Sequence, residues 1–200
     1  GDGIIPGLYG YDGGQAGVGD IFEWFVENAV PGWYERRAAE AGLSVYQALE
    51  RDAAQQRPGE AGLIALDWWN GNRSVLVNAG LSGLLIGMTL GTRPPDIFRA
   101  LIEATAFGTY KIIRTFEESG VRIEELYACG GLPERNELVM QIFSDVTGRT
   151  IKLAATSQPG SLGSAMHAAV AAGPEAGGYR DIGEAARAMA RLKDRVYYPD

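Results

Sequence analysis

Only one cysteine and one histidine occur in the 200 residues, Cys129 and His167. A lone cysteine excludes an internal disulfide and fits a reducing compartment; closing an apolar run, Cys129 reads as a buried, inert thiol. His167 stands among alanines on a helical stretch and reads as a packing or surface residue rather than a catalytic one. Basic residues are also few, 18 Lys and Arg against 25 Asp and Glu, for a net charge of −7. That balance excludes nucleic acid and an anionic membrane surface as the main partner. A phosphate-bearing ligand would have to be held by backbone and local dipoles. No apolar run reaches the roughly 18–20 residues of a membrane span, since Ser82, Gly83, Gly87 and Thr89 interrupt the stretch from Leu81 to Leu90. No signal peptide is visible, and a cytoplasmic location is expected. The chain opens at Gly1, without methionine, and reads as a piece of something longer.

What is present is a core-forming composition, 46% hydrophobic, enough for one domain with appendages. The glycine-rich residues 1–19 suit a short strand and a shaped loop. Three helical patches follow, from Asp20 to the Pro31-Gly32 break, from Trp33 to Ala41, and from Ser44 to Gln56 with Ser44 as N-cap. Gly62 to Leu66 has strand character and leads into the polar and aromatic loop Asp67 to Arg73. Pro94-Pro95-Asp96 marks the start of a helix whose apolar residues recur near every 3.6 positions up to Gly120. A strand over Glu125–Cys129, a helix over Glu134–Val146, a strand over Thr150–Ala154 and helices over Ser161–Ala172 and Ile182–Leu192 complete an alternating pattern. Such alternation predicts an α/β layer.

The most informative stretch is Leu126 to Asn136, an apolar run feeding Gly130-Gly131 and then a helix. A glycine pair at a strand-to-helix junction allows close approach to backbone, beside the unpaired N–H groups of a helix start. The same pattern also serves as a plain turn.

Gly83 to Met88, followed by Asp96 to Glu103, resembles the second signature of the FGGY carbohydrate kinases. Leu66-Asp67-Trp68-Trp69-Asn70-Gly71-Asn72-Arg73 resembles the ribulokinase branch of that family, as do Asp2 to Tyr11 with Gly14-Gln15, and Ala128 to Pro133. The similarity covers essentially the whole chain. It implies an actin-like, ribonuclease-H-like α/β fold, with residues 1–200 as the C-terminal domain and a helical insertion at about 20–60. The family's first domain, with its Asp-x-Gly-Thr phosphate loop and catalytic aspartate, has no counterpart here, so no catalytic base is assigned to this chain.

On that resemblance Gly130, Gly131 and Asn136 form the adenosine-binding turn, the asparagine amide being able to donate to and accept from a base edge. A tight turn and a surface helix residue remain the alternatives. Gly19 and Glu23, opening the first helix, fall near the phosphate chain and nucleotide, although Glu23 reads equally well as a solvated helix face. Asp12 stands where ribulokinases carry a sugar-binding glutamate one methylene longer, and it also suits a turn. Asp67, Asn70, Asn72 and Arg73 read as a metal or sugar cluster, or as organisers of the cleft edge; the second reading is preferred, and no metal ligand is assigned. Gly160, Gly163 and Ala165 are expected to let their helix approach the Gly130-Gly131 turn.

The implied activity is phosphoryl transfer from ATP, with Mg2+, to the primary hydroxyl of a ribulose-like ketopentose, in a cleft shared with the missing domain. The alternative is a non-catalytic nucleotide-binding or interaction module. A homo-oligomer stays open.

Overall fold

The computed structural model describes residues 5–200. Part of the strand expected within residues 1–19 therefore lies outside the described residues, and residues 5–18 contain no strand. The chain divides into two compact units, the first comprising residues 1–12, 124–137 and 149–198, the second residues 13–123, 138–148 and 199–200.

The second unit is built on helices. Helices α1 (Gly19–Ala29), α2 (Gly32–Glu40) and α3 (Val45–Ala53) lie where the sequence places them, and α4 spans Pro94–Glu118. Ser44 caps α3 with a full capping box: its hydroxyl accepts from the Gln47 N–H (3.2 Å), while the Gln47 carbonyl oxygen accepts from the Ser44 N–H (2.9 Å). Two otherwise orphaned donors are satisfied that way. Ile21, Phe22 and Phe25 bury one face of α1. Phe22 meets the ring of Phe98 on α4 edge-on at 5.6 Å, and Phe25 stacks on it at 6.4 Å. From α3, Leu49 and Ala53 are fully buried. The buried Arg99 of α4 donates to the Ala53 carbonyl (3.0 Å) and pairs with Glu103 (2.8 Å), so its charge is matched by a partner where little of it meets water. Tyr34 of α2 donates to Asp52 (2.9 Å), and burial, helped by that carboxylate, holds its phenol well above the ordinary range.

Strand β1 (Ile64–Leu66) pairs antiparallel with β2 (Leu84–Ile86), Ala65 lying opposite Leu85. The sequence does not announce β2, which is three residues long with two of them exposed inside a glycine-rich span. A periodic signal needs more length than that.

The first unit carries β3 (Leu126–Ala128), β4 (Ile151–Ala154) and β5 (Leu192–Tyr197) in one sheet, with β3–β4 parallel and β4–β5 antiparallel. Ile151, Leu153 and Tyr197 are buried in it. The helix expected over 134–146 instead begins at Gly131 and is broken: α5 (Gly131–Arg135) ends at Asn136, whose φ of −136° and ψ of 99° are extended, and the chain restarts as α6 (Glu137–Thr147), which from residue 138 on belongs to the second unit. Helix α7 spans Pro159–Ala172 and α8 Ile182–Met189. The last helix therefore stops short of Leu192, and its expected end is the edge strand β5. Lys193, Asp194 and Arg195 hide that strand from a hydrophobicity reading, since edge strands are protected by such charges. Lys193 pairs with Glu134 (3.4 Å), and Arg195 with both oxygens of Glu137.

Phe98→Ala should cost about 3–5 kcal/mol of stability, the usual range for deleting a buried phenylalanine, because it removes the ring against which two α1 aromatics pack. Denaturant unfolding measures it, and a loss no larger than that of the exposed Tyr110→Ala would contradict the packing account.

Candidate functional site

In the first unit, β3 ends at Ala128 and delivers the chain through Cys129 into Gly130 and Gly131. Gly130 has a φ of +98°, a conformation open to glycine and strained for residues with a Cβ. Gly131 is the first residue of α5 and does not share it. A Cβ on either residue would meet no other atom within 4 Å. Backbone conformation thus requires glycine at 130, whereas the chain's own packing does not require it at 131. Asn136 lies neither within a helix nor on the surface: it forms the break between α5 and α6, is 7% exposed, and its N–H donates to the Leu132 carbonyl (3.2 Å).

Three expectations in this unit are corrected. Cys129 is exposed, not buried, because β3 closes at Ala128 and the thiol falls beyond the sheet. A Cβ at Gly160 or Gly163 would meet nothing within 4 Å, so close packing does not explain those glycines. The helix after the glycine pair starts at Gly131, three residues before Glu134. Asp12 is exposed in the loop that ends the unit's N-terminal segment, and His167 is exposed on α7.

In the second unit, Gly19 opens α1. The N-cap position is Val18, with no side-chain cap, so the helix start keeps donors that other helices bond to a cap. Glu23 is exposed, away from the buried stripe. The two units hold different parts of the expected constellation: Asp12, Gly130, Gly131 and Asn136 in one, Gly19 and Glu23 in the other.

Between Asp12 and Gly19 runs a loop fastened by the Asp67–Ser74 segment and by α4. The Gly14 N–H donates to the Ser74 hydroxyl. The Gln15 amide nitrogen donates to Asp67 Oδ2 (2.6 Å) and to the Thr105 carbonyl (2.8 Å), and the Gln15 oxygen accepts from the Thr109 hydroxyl (2.6 Å). Asn70 donates to the Ala16 carbonyl (3.3 Å). Asn72 folds its own loop, its oxygen accepting from the N–H groups of Val75 (3.2 Å) and Leu76 (2.7 Å). These bonds tie the Asp67–Arg73 loop to the 13–18 loop and fold it on itself. The Trp69 ring packs against that of Trp24 at 4.4 Å, tilted by 57°.

Asp67 is the buried acid of this region. Burial pushes its carboxyl pKa up, and the Gln15 hydrogen bond pulls it back part of the way. A cavity of about 270 Å³ opens beside it, lined among others by Gln15, Asp67, Arg73, Phe107 and Lys111. The sequence reading singled out neither Gln15 as the centre of this network nor Gly108, which admits it. A side chain at Gly108 would collide with both Asp67 and Gln15. The available signal was a glycine in the middle of a long helix, where it otherwise costs stability.

The family model of the FGGY family of carbohydrate kinases, C-terminal domain, matches residues 1–172. A ribulokinase of Anoxybacillus flavithermus is 59% identical over 99% of this chain and 35% of its own length. One of Geobacillus thermodenitrificans is 58% identical with the same coverage. Among solved structures, xylulose kinase from Rhodospirillum rubrum matches with a TM-score of 0.70 at 25% identity, over 93% of this chain and 34% of that one. The chain spans about a third of the length of these relatives. The described residues contain no helix long and apolar enough to cross a membrane. With the helical and sheet elements above, these matches identify the chain as a member of the FGGY family of carbohydrate kinases, corresponding to its C-terminal domain.

Proposed function

We propose that this chain is the nucleotide-binding half of an ATP-dependent kinase that phosphorylates a ribulose-like ketopentose on its primary hydroxyl. The observation that carries the reading is the 59% identity to a relative named ribulokinase, maintained over 99% of the chain. The fold is read as the actin-like, ribonuclease-H-like one, with α1, α2 and α3 as a helical insertion within a single C-terminal domain. ATP and sugar would meet in a cleft shared with a further domain that supplies the general base, and the enzyme is placed in the cytoplasm.

Phosphoryl transfer of this kind is mostly positioning and charge neutralisation, and the chain's residues are suited to positioning. Gly130 turns the backbone at the end of β3, and Gly131 leaves the start of α5 without a side chain, so that the adenosine can lie against main chain. Asn136, mostly buried at the break after α5, is assigned to the base. Gly19 brings the uncapped start of α1 to the phosphates, with the exposed Glu23 one turn further on. Mg2+ would travel on the ATP phosphates, needing at most one or two protein carboxylates. Asp12 is assigned to a sugar hydroxyl, since a carboxylate accepts several O–H groups at once.

In the full-length protein, Gly131→Val should weaken ATP binding by at least about tenfold, the equivalent of ~1.4 kcal/mol, with sugar affinity and melting temperature nearly unchanged. Gly130→Val should instead lower the melting temperature, because its φ of +98° strains a β-branched residue. Titration calorimetry beside a thermal melt reads both; unaltered ATP affinity in a folded Gly131→Val protein would reduce the turn to a structural element.

Asp12→Asn should raise the sugar KM roughly tenfold to a hundredfold, the equivalent of about 1.5–3 kcal/mol for a lost charged hydrogen bond, and leave ATP binding alone. A fall in melting temperature with an unchanged sugar KM would assign Asp12 to the turn instead.

A further inference from the structure

The Gln15 amide is committed on both of its atoms, to Asp67, Thr105 and Thr109, at 2.6–2.8 Å. Neither an ionised Asp67 nor the Thr105 carbonyl can donate to the other, so a donor placed between them is what satisfies both. Gln15 is that donor. It stands four residues before Gly19, so the latch fixes the loop that leads into the helix start proposed to meet the phosphates. The absence of a Cβ at Gly108 is a separate observation pointing the same way, since any larger residue there would separate Asp67 from Gln15.

We infer that Gln15 is a positioning residue of the proposed sugar kinase, its locked amide holding the 13–18 loop on α4 so that Gly19 and the start of α1 are presented in one arrangement. The inference rests on the function proposed above. Gln15 touches no reacting atom in this scheme and acts through the loop. The charged groups facing it are Asp67, from the loop after β1, and Arg73 and Lys111, which line the same cavity from that loop and from α4.

The polarity of the contact supplies the test. In Gln15→Glu two carboxylates face each other. At alkaline pH both are ionised and repel, whereas at lower pH one shared proton lets the glutamic acid donate as the amide does. Full-length wild type, Gln15→Glu and Gln15→Leu are assayed for ATP-dependent phosphorylation of ribulose between about pH 5 and about pH 9, since one carboxyl of such a pair is pushed strongly above the ordinary carboxylate range. Relative to wild type, the sugar kcat/KM of Gln15→Glu should rise at least about tenfold from the alkaline to the acid end, one pH unit of titration being worth that much. Gln15→Leu should be impaired equally at every pH. Adding Asp67→Asn to Gln15→Glu, which swaps donor and acceptor, should recover most of the alkaline loss. Gly108→Ala attacks the same contact from the helix side and carries the test if Gln15→Glu does not fold; it should lower kcat/KM even though alanine favours the helix. A pH-flat Gln15→Glu ratio, or variants that melt lower while keeping the wild-type kcat/KM, would overturn the inference with the kinase reading intact. A wild type that does not phosphorylate ribulose would instead overturn the proposed function, and the inference with it.

Discussion

A buried carboxylate 2.6 Å from an amide nitrogen, with no side chain on the helix behind them, is the constraint on which the second unit turns. Burial works against the charge of Asp67, and an isolated buried charge is costly. The Gln15 amide offsets part of that cost, and the glycine at 108 is tolerated in a 25-residue helix because it makes the contact geometrically available. The strand β1 leads directly to Asp67. The loop that carries Gln15 leads to α1, whose aromatic face then packs on Phe98 of the same α4. One helix thus serves as the wall of the core at one level and as the seat of a polar latch at another.

Much of this was legible in the sequence, for identifiable reasons. Helices α1 to α3 are bounded by Pro31-Gly32 and by Ser44, whose chemistry breaks or caps helices wherever it occurs. The period of α4 was readable because its length gives many turns of signal, and its Pro94-Pro95 start is compatible with a helix's first turn, where N–H groups go unbonded anyway. The short strands were harder. The edge strand β5 carries Lys193, Asp194 and Arg195 in succession, so that only its cross-strand partners, absent from a linear reading, reveal it. The break at Asn136 was missed for a related cause: Pro133, Glu134 and Arg135 are compatible with helix, and only the extended backbone at one residue separates α5 from α6.

The site was legible as a list of segments and not as a geometry. Gly130 could be recognised as a special position because strand, glycine and helix follow one another in the chain. Gln15 could not be ranked above its neighbours, since its importance lies in Asp67, Thr105 and Thr109, which are 52, 90 and 94 residues away. Partners at that separation are set by tertiary structure alone. For the same reason Asp67, Asn70 and Asn72 were ambiguous in the sequence between ligand and scaffold, and their hydrogen bonds to Gln15, Ala16, Val75 and Leu76 could not be read from it.

The exposure of Cys129 gives the chain an experimental handle. It is the only thiol in the 200 residues, and it immediately precedes Gly130. A maleimide-type fluorophore would therefore attach at a single position, one residue from the left-handed turn. Its emission and the rate of its attachment would report on events at the end of β3 without the introduction of any foreign residue.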